Sequence, residues 1–248
     1  MRIAICGKGG SGKSMISGSL ARSLARRGHT VVAVDADPNP NLGISLGVPR
    51  ETVETMKPIL NALLDAGHTH NDPKPLAEDL LEHYGVDAPD GIRLVATGKI
   101  ERPSDACLCC GSHNTTRQFF GELADDERVV VADLEAGLND LIWAKPGAND
   151  VVLAVSEGSE KSVEIARRAV AVAEELGVTR IIGIANRAVS SEDAARVAEQ
   201  LGTAEFFTVP EDPAVEHADQ LGVAPMDADP SSPAMVAVSE LADLIVKQ

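Results

Sequence analysis

The chain has 248 residues, with 22 Lys or Arg against 38 Asp or Glu, which gives a formal net charge of −16 at pH 7. Its length fits one α/β domain over residues 1–248, and 44% hydrophobic with 24% charged residues excludes wholesale disorder. The acidic balance, with no basic run longer than Arg26-Arg27, argues against nucleic-acid binding, because phosphate contacts need clustered Lys and Arg.

Short apolar runs alternate with helical patterns along the chain. The predicted strands are 2–6, 30–34, 92–96, 128–132, 150–155, 180–185 and 205–209. The predicted helices are 13–27, 53–66, 75–84, 115–124, 159–176, 191–201, 213–221 and 233–246. Continuous apolar strands separated by helices predict the α/β class, with a doubly wound, mostly parallel sheet flanked by helices.

The segment from about residue 46 to 91 breaks this alternation. It shows two helical patterns with no clear strand between them, joined by a polar connector at 67–73. We therefore expect a helical insertion within the one domain. His68 and His70 lie in the connector, where a solvated loop is favoured over a metal site.

A glycine-rich loop follows the first predicted strand and precedes the first helix. It matches G-x-x-x-x-G-K-[ST], the phosphate-binding loop of P-loop NTPases, in the context that this motif requires. Its glycines let backbone N–H groups turn toward a phosphate, and the helix N-terminus adds positive charge. Lys13 can reach the β- and γ-phosphates of ATP, and the Ser14 hydroxyl can bind Mg²⁺. The predicted nucleotide-binding residues here are Gly7, Lys8, Gly9, Gly10, Ser11, Gly12, Lys13 and Ser14.

Carboxylates end two of the predicted strands. Asp35 and Asp37 follow the second strand, where one carboxylate can hold the magnesium shell and the other can orient or deprotonate the attacking water. Asp133 directly follows the strand predicted at 128–132 and suits a Walker B aspartate, which would hold Mg²⁺ through water. Gly137 follows it and can bring a backbone N–H close to the γ-phosphate.

Lys8 occupies a position at which an ordinary phosphate-binding loop does not require a basic residue. The loop therefore resembles the deviant Walker A of the nitrogenase-iron-protein-like ATPases, which include partitioning, cell-division-site, arsenite-pump and metal-insertion ATPases. This resemblance implies a homodimer in which Lys8 crosses the interface to the partner's nucleotide. It also implies that Asp37, in a switch I of the form Asp-x-Asp-Pro, positions the water.

The same resemblance implies an adenine site at the ends of later strands. Asn186, followed by Arg187, stands where the family has an Asn that reads the adenine edge. Its amide offers both a donor and an acceptor, which suits a base. Pro210 lies in a segment that resembles the family's next base-side loop.

Three of the four cysteines, Cys107, Cys109 and Cys110, fall within four residues. We expect a cytoplasmic protein, because no signal-peptide pattern or membrane span is visible, and cytoplasmic cysteines favour metal binding or catalysis over disulfides. Thiolates are soft metal ligands, and a tetrahedral structural site needs four ligands. Two copies of a Cys-x-Cys pair related by a two-fold axis supply four thiolates. Cys6, at the end of a buried strand, fits a core residue.

Together, the phosphate loop, the Asp-Ala-Asp-Pro-Asn segment, the Cys-x-Cys pair and the Asp-x-Glu-Ala-Gly segment resemble the carbon monoxide dehydrogenase maturation ATPases of the CooC type. This implies an ATPase that uses ATP/ADP and Mg²⁺ and supports nickel insertion into a client metalloenzyme. Cys110, with His113 close by, departs from the pattern. It leaves open which thiols bind metal and whether the ion is Ni²⁺ or Zn²⁺.

Two other functions stay open. The nitrogenase iron protein bridges its dimer with one iron–sulfur cluster through two distant cysteines per chain, and residues 133–140 here contain no cysteine for the second of them. A [4Fe–4S] cluster held by the 107–110 thiols of both chains remains an alternative. A positioning ATPase needs a basic DNA-binding surface or an amphipathic membrane helix, and neither is clear in the sequence.

Overall fold

The computed structural model describes residues 1–68, 72, 75–99, 115, 118, 119, 121–123, 127–136 and 149–247. Its centre is one eight-stranded sheet in the order β3-β4-β2-β5-β1-β6-β7-β8. The strands are β1 Arg2–Gly7, β2 Val31–Asp35, β3 Val86–Ala88, β4 Ile92–Ala96, β5 Val129–Asp133, β6 Val151–Ser156, β7 Arg180–Ala188 and β8 Glu205–Pro210. Neighbouring strands run parallel except β3, which is antiparallel to β4 at one edge, so the predicted fold class is confirmed.

Helices connect most of the strands. Those within the described ranges are α1 Lys13–Arg26, α2 Leu42–Leu46, α3 Arg50–Thr55, α4 Ile59–Asp65, α5 Ala77–Tyr84, α6 Glu160–Glu175, α7 Ser191–Leu201, α8 Pro213–Leu221, α9 Pro225–Ala228 and α10 Pro233–Val246. The predicted helix 115–124 lies partly outside the described residues. No helix in the described part is long and apolar enough to cross a membrane.

Both faces of the sheet are buried, which is why its strands read as continuous apolar runs. Side chains alternate between the two faces along a strand. In β1, Ile3 and Ile5 therefore join a core with residues of α1, α2 and α10, whereas Ala4 and Cys6 join a second core with residues of α4, α5, α6 and α7. Helices on both faces confirm the doubly wound arrangement.

Most strand positions were predictable from apolar runs, and four of these runs, β1, β2, β5 and β6, end at a polar residue or glycine. Each predicted strand lies within one residue of its observed bounds, except β7, which continues three residues beyond the predicted end. The carboxyl ends of the parallel strands share one edge of the sheet, the edge where ligands bind in such folds.

The helical insertion predicted near 46–91 also contains the short strand β3, which the sequence did not predict. This strand has three residues, one of them the exposed Asp87, so it leaves no apolar run in the sequence. It reaches β4 through the turn Pro89–Gly91, in which Asp90 adopts a φ of 62°. The single helix predicted at 53–66 is two helices, because Pro58 stands before α4 and disfavours helical backbone at the preceding residue.

Candidate functional site

The loop between β1 and α1 is shaped to surround an anion. Gly10 and Gly12 have φ values of 82° and 90°, in the left-handed region that glycine enters without strain. A Cβ on Gly12 would lie 2.1 Å from Asn186 Nδ2, so this position leaves no room for a side chain. The N-terminus of α1 has no side-chain cap, so its N–H groups point into the loop, where a phosphate would be bound.

Lys13 and Ser14 open α1 beneath this loop. Lys13 is only 6% exposed, and its Nζ lies 3.4 Å from the Lys8 carbonyl oxygen. The Ser14 hydroxyl donates to Asp133 Oδ2 at 2.5 Å, and the Ser17 hydroxyl donates to Oδ1 of the same carboxylate at 3.2 Å. The structure therefore joins the predicted Mg²⁺ ligand and the predicted Walker B aspartate. Their oxygens are the donors that Mg²⁺ prefers, so the residues fit this ion.

Asp133 is held in an unfavourable electrostatic environment. Burial raises the pKa of this carboxyl from 3.8 to about 6, against the lowering effects of the Ser14 hydrogen bond and the nearby Lys13 ammonium. A buried carboxylate lowers stability unless a cation compensates it. The site is therefore arranged to gain stability when a divalent cation binds.

This raised pKa predicts how stability depends on pH. Between pH 3.8 and about 6, the Asp133 carboxyl keeps its proton in the folded protein but loses it in the unfolded chain. The protonated carboxyl therefore stabilises the fold at low pH, and this stability is lost as the pH rises through about 6. We expect Asp133→Asn to remove this loss, on the order of 1–3 kcal/mol, from the nucleotide-free protein. Denaturant unfolding in EDTA across this pH range measures it.

The control for this experiment is Asp79→Asn, because Asp79 is an exposed carboxylate on α5. It should follow the wild-type profile. If Asp133→Asn also follows that profile, the raised pKa is wrong.

The two switch I aspartates face different surroundings. Asp35 is fully buried, and both its oxygens accept backbone N–H groups. Burial and the neighbouring Asp133 carboxylate raise the pKa of Asp35 well above its usual value. Asp37 is partly exposed, and its Oδ1 accepts the Asn39 N–H at 2.8 Å. The structure thus leaves Asp37 accessible to water, whereas Asp35 points into the protein.

The predicted adenine-site residues lie beside the phosphate loop. Asn186 is buried, and its Nδ2 donates to the Ser11 carbonyl at 2.8 Å, while its Oδ1 has no partner among the described residues. Arg187 has a φ of 55° and its Nη1 lies 3.4 Å from the Gly10 carbonyl oxygen. Pro210 ends β8 next to them, paired with Ala188. The structure brings these residues together, and the adenine role stays a prediction.

Glu157, which follows β6, was missed by sequence reasoning. Its Oε1 lies 3.4 Å from Lys8 Nζ and accepts the Ser159 hydroxyl at 3.1 Å, while its Oε2 lies 4.0 Å from Arg187 Nη1. One carboxylate therefore sits between two cations of the nucleotide site. The signal was available, because Glu157 follows the carboxyl end of a central parallel strand.

Several predicted site residues lie outside the described residues: Gly137, Cys107, Cys109 and Cys110. Ala136, just before Gly137, is described, and a Cβ on Gly9 would lie 3.4 Å from its Cβ, so the segment after β5 passes beside the phosphate loop. Within the described ranges, no group of three or more His, Cys, Asp or Glu residues could hold a metal ion.

This geometry agrees with comparisons to known proteins. A family model described as the CobQ/CobB/MinD/ParA nucleotide binding domain matches residues 3–225. The chain belongs to this family. It is accordingly an ATP-binding ATPase of the CobQ/CobB/MinD/ParA class, as the phosphate loop and the carboxylates predicted.

Curated members of the family match nearly the full chain. The carbon monoxide dehydrogenase accessory protein CooC of Rhodospirillum rubrum is 31% identical over 88% of this chain and 86% of that protein. An uncharacterized ATP-binding protein of Methanocaldococcus jannaschii is 33% identical over 87% of each. These identities confirm the family resemblance in the sequence motifs.

Solved structures of the family share the fold. A ParA family ATPase from Chlorobium tepidum TLS gives a TM-score of 0.74 at 19% identity, covering 97% of each chain. The septum site-determining protein MinD of Pyrococcus horikoshii OT3, complexed with Mg-ADP, gives 0.72 at 19% identity, covering 99% of this chain and 96% of that one. At these identities the likeness establishes the architecture alone.

Proposed function

We propose that this ATPase is a metallochaperone that supports nickel insertion into a client metalloenzyme such as carbon monoxide dehydrogenase, with ATP hydrolysis coupled to dimerisation and metal binding. The observation that carries the proposal is the 31% identity to the accessory protein CooC over 88% of the chain. The thiols of Cys107, Cys109 and Cys110 are soft ligands of the kind that Ni²⁺ or Zn²⁺ takes.

In this proposal, hydrolysis is performed at the carboxyl edge of the sheet. Lys13 offsets charge on the β- and γ-phosphates, and the loop N–H groups orient them. Ser14 and Asp133 would hold Mg²⁺, which would offset the negative charge that develops on the phosphate oxygens. Asp37 orients the attacking water and accepts its proton.

Lys8 links hydrolysis to assembly in this proposal. Its side chain is 34% exposed and that of Glu157 is 26% exposed, so their ion pair is only partly shielded from water. Such a pair is weak, at about 0.2–1 kcal/mol, and Lys8 can exchange it for a phosphate. When two chains face each other with bound ATP, Lys8 of each reaches the partner's phosphates and offsets the repulsion between them.

We expect opposite effects from substitutions at the two ends of this pair. Lys8→Ala should abolish ATP-dependent dimerisation, because the interface then brings triphosphates together without their counter-charge. Glu157→Gln should release Lys8 and strengthen the ATP-bound dimer by about two- to tenfold. Sedimentation velocity with Mg²⁺ and a non-hydrolysable ATP analogue measures both.

Glu164→Gln is the matched control, because Glu164 pairs with Arg167 on the exposed surface of α6 at 2.7 Å. It should dimerise like wild type. If Lys8→Ala dimerises as tightly as wild type and hydrolyses ATP normally, the interface-crossing role is wrong.

Metal binding is the direct test of the proposed function. We expect one Ni²⁺ or Zn²⁺ per dimer, with binding lost in the Cys107→Ala/Cys109→Ala variant or retained weakly through Cys110. Because each chain supplies too few thiolates alone, metal and dimer stabilise each other. Metal affinity should then differ about 5- to 150-fold between ADP and a non-hydrolysable ATP analogue. Metal titration of the anaerobically purified protein measures both quantities.

Cys6→Ala is the control for thiol loss. Cys6 is buried, its Sγ lies 3.5 Å from the Leu153 carbonyl oxygen, and burial raises the pKa of its thiol to about 12, so it is a poor metal ligand. Unchanged stoichiometry in the double variant would contradict the ligand assignment. Equal affinities in both nucleotide states would contradict delivery. Brown protein containing iron and sulfide would instead indicate a cluster-bearing ATPase.

A further inference from the structure

A single carboxylate holds both ends of the loop that carries Asp37. Asp35, the last residue of β2, accepts the Asp37 N–H on Oδ1 at 3.2 Å and the Leu42 N–H on Oδ2 at 2.8 Å. Leu42 is the first residue of α2, so the two hydrogen bonds close residues 36–41 into a loop. Asp35 therefore determines where the loop leaves the sheet and where it returns.

The neighbouring strands fix this anchor in place. The Asp35 carbonyl accepts the Thr97 N–H at 2.9 Å, just beyond β4. The next residue, Ala36, donates its N–H to the Asp133 carbonyl at 3.0 Å, at the end of β5. The base of the loop is thus tied to strands on both sides, and displacement of Asp37 requires the Asp35 hydrogen bonds to open.

The same contacts argue against Asp35 as a magnesium ligand. Asp35 is as buried as Asp133, but its two oxygens accept backbone N–H groups at the two ends of its own loop, whereas the oxygens of Asp133 accept the hydroxyls of Ser14 and Ser17. The Ser14 hydroxyl, the predicted Mg²⁺ ligand on α1, contacts Asp133 instead. A buried carboxyl group is costly, and the two N–H donors offset part of that cost. Asp35 is therefore satisfied by the loop itself.

We propose that Asp35 is a positioning residue for ATP hydrolysis, which fixes the 36–41 loop so that Asp37 meets the attacking water, and that it does not bind Mg²⁺. This inference rests on the proposed role of Asp37. A displacement of about 1 Å in a reacting group can lower a rate about 100-fold, so loss of the anchor is costly even though Asp37 itself is intact.

Asp35→Asn is the decisive variant, because it keeps the size of the side chain and replaces one acceptor with a donor. In the nucleotide-free protein we expect the Leu42 or Asp37 amide to exchange with solvent about tenfold faster or more. With ATP, kcat should fall about 10- to 100-fold, while the Mg²⁺ concentration for half-maximal rate changes less than about twofold. Asp133→Asn should raise that Mg²⁺ concentration.

Asp35→Ser, which offers one hydroxyl acceptor, is the second variant and should show the same pattern if Asp35→Asn does not fold. Asp37→Asn is the matched control, which should lose kcat without faster exchange at Leu42. Unchanged exchange at both amides, or a rise in the Mg²⁺ requirement like that of Asp133→Asn, would overturn the proposal. The exchange measurement needs neither ATP nor metal, so it separates failure of the anchor from failure of the metallochaperone role.

Discussion

Asp37→Asn is expected to leave ATP binding nearly unchanged and to lower the hydrolysis rate about 10²- to 10⁴-fold, the usual contribution of a positioned general base. The amide keeps the size of the side chain but cannot accept the proton of the attacking water. Asp37 is also accessible to water, since it is partly exposed while Asp35 and Asp133 are buried.

Equilibrium binding of a non-hydrolysable ATP analogue and steady-state phosphate release separate the two effects. Asp79→Asn, an exposed carboxylate on α5, is the control and should change neither quantity. A wild-type hydrolysis rate in Asp37→Asn would remove this residue from the mechanism. Weakened analogue binding would instead mean that Asp37 contributes to the ground-state complex.

The sequence predicts the parts of this molecule that depend on local pattern. Apolar runs that end in glycine or aspartate located β1, β2 and β5, and the glycine-lysine motif located the phosphate loop between β1 and α1. Both follow from requirements within a few residues: a strand buried on two faces, and backbone N–H groups turned toward an anion. β3 was missed because three residues at a sheet edge bury too little to leave a pattern.

Side-chain direction within the site depends on tertiary contacts, and the sequence did not predict it. Only the family resemblance separated Asp35 from Asp37 in the sequence. In the structure Asp35 is buried and accepts the N–H groups of Asp37 and Leu42, whereas Asp37 is partly exposed. Asn186 likewise donates to the Ser11 carbonyl, 175 residues away in the chain. The contact between Asn186 and the phosphate loop follows from the order of the strands, because that order decides which strand ends are neighbours.

Lys13→Ala is expected to weaken ATP binding about 10- to 100-fold, because a charge-assisted hydrogen bond to phosphate contributes about 1.5–3 kcal/mol. Lys13 is 6% exposed, and its Nζ lies 3.4 Å from the Lys8 carbonyl oxygen, so the ammonium is already held inside the loop. Binding ATP then requires little ordering of this side chain, and most of the interaction energy becomes affinity.

The same substitution should be visible without nucleotide. The Lys13 ammonium lowers the pKa of Asp133, so in Lys13→Ala that pKa should rise further above about 6. The pH-dependent loss of stability should then extend to higher pH, and denaturant unfolding in EDTA measures this change. Isothermal titration with ATP measures the loss of affinity. Lys161→Ala, at an exposed position on α6, is the control for both measurements. If Lys13→Ala binds ATP like wild type, the loop does not hold the phosphates through this residue. If the pH profile of stability in Lys13→Ala matches that of the wild type, the Lys13 ammonium does not lower the pKa of Asp133.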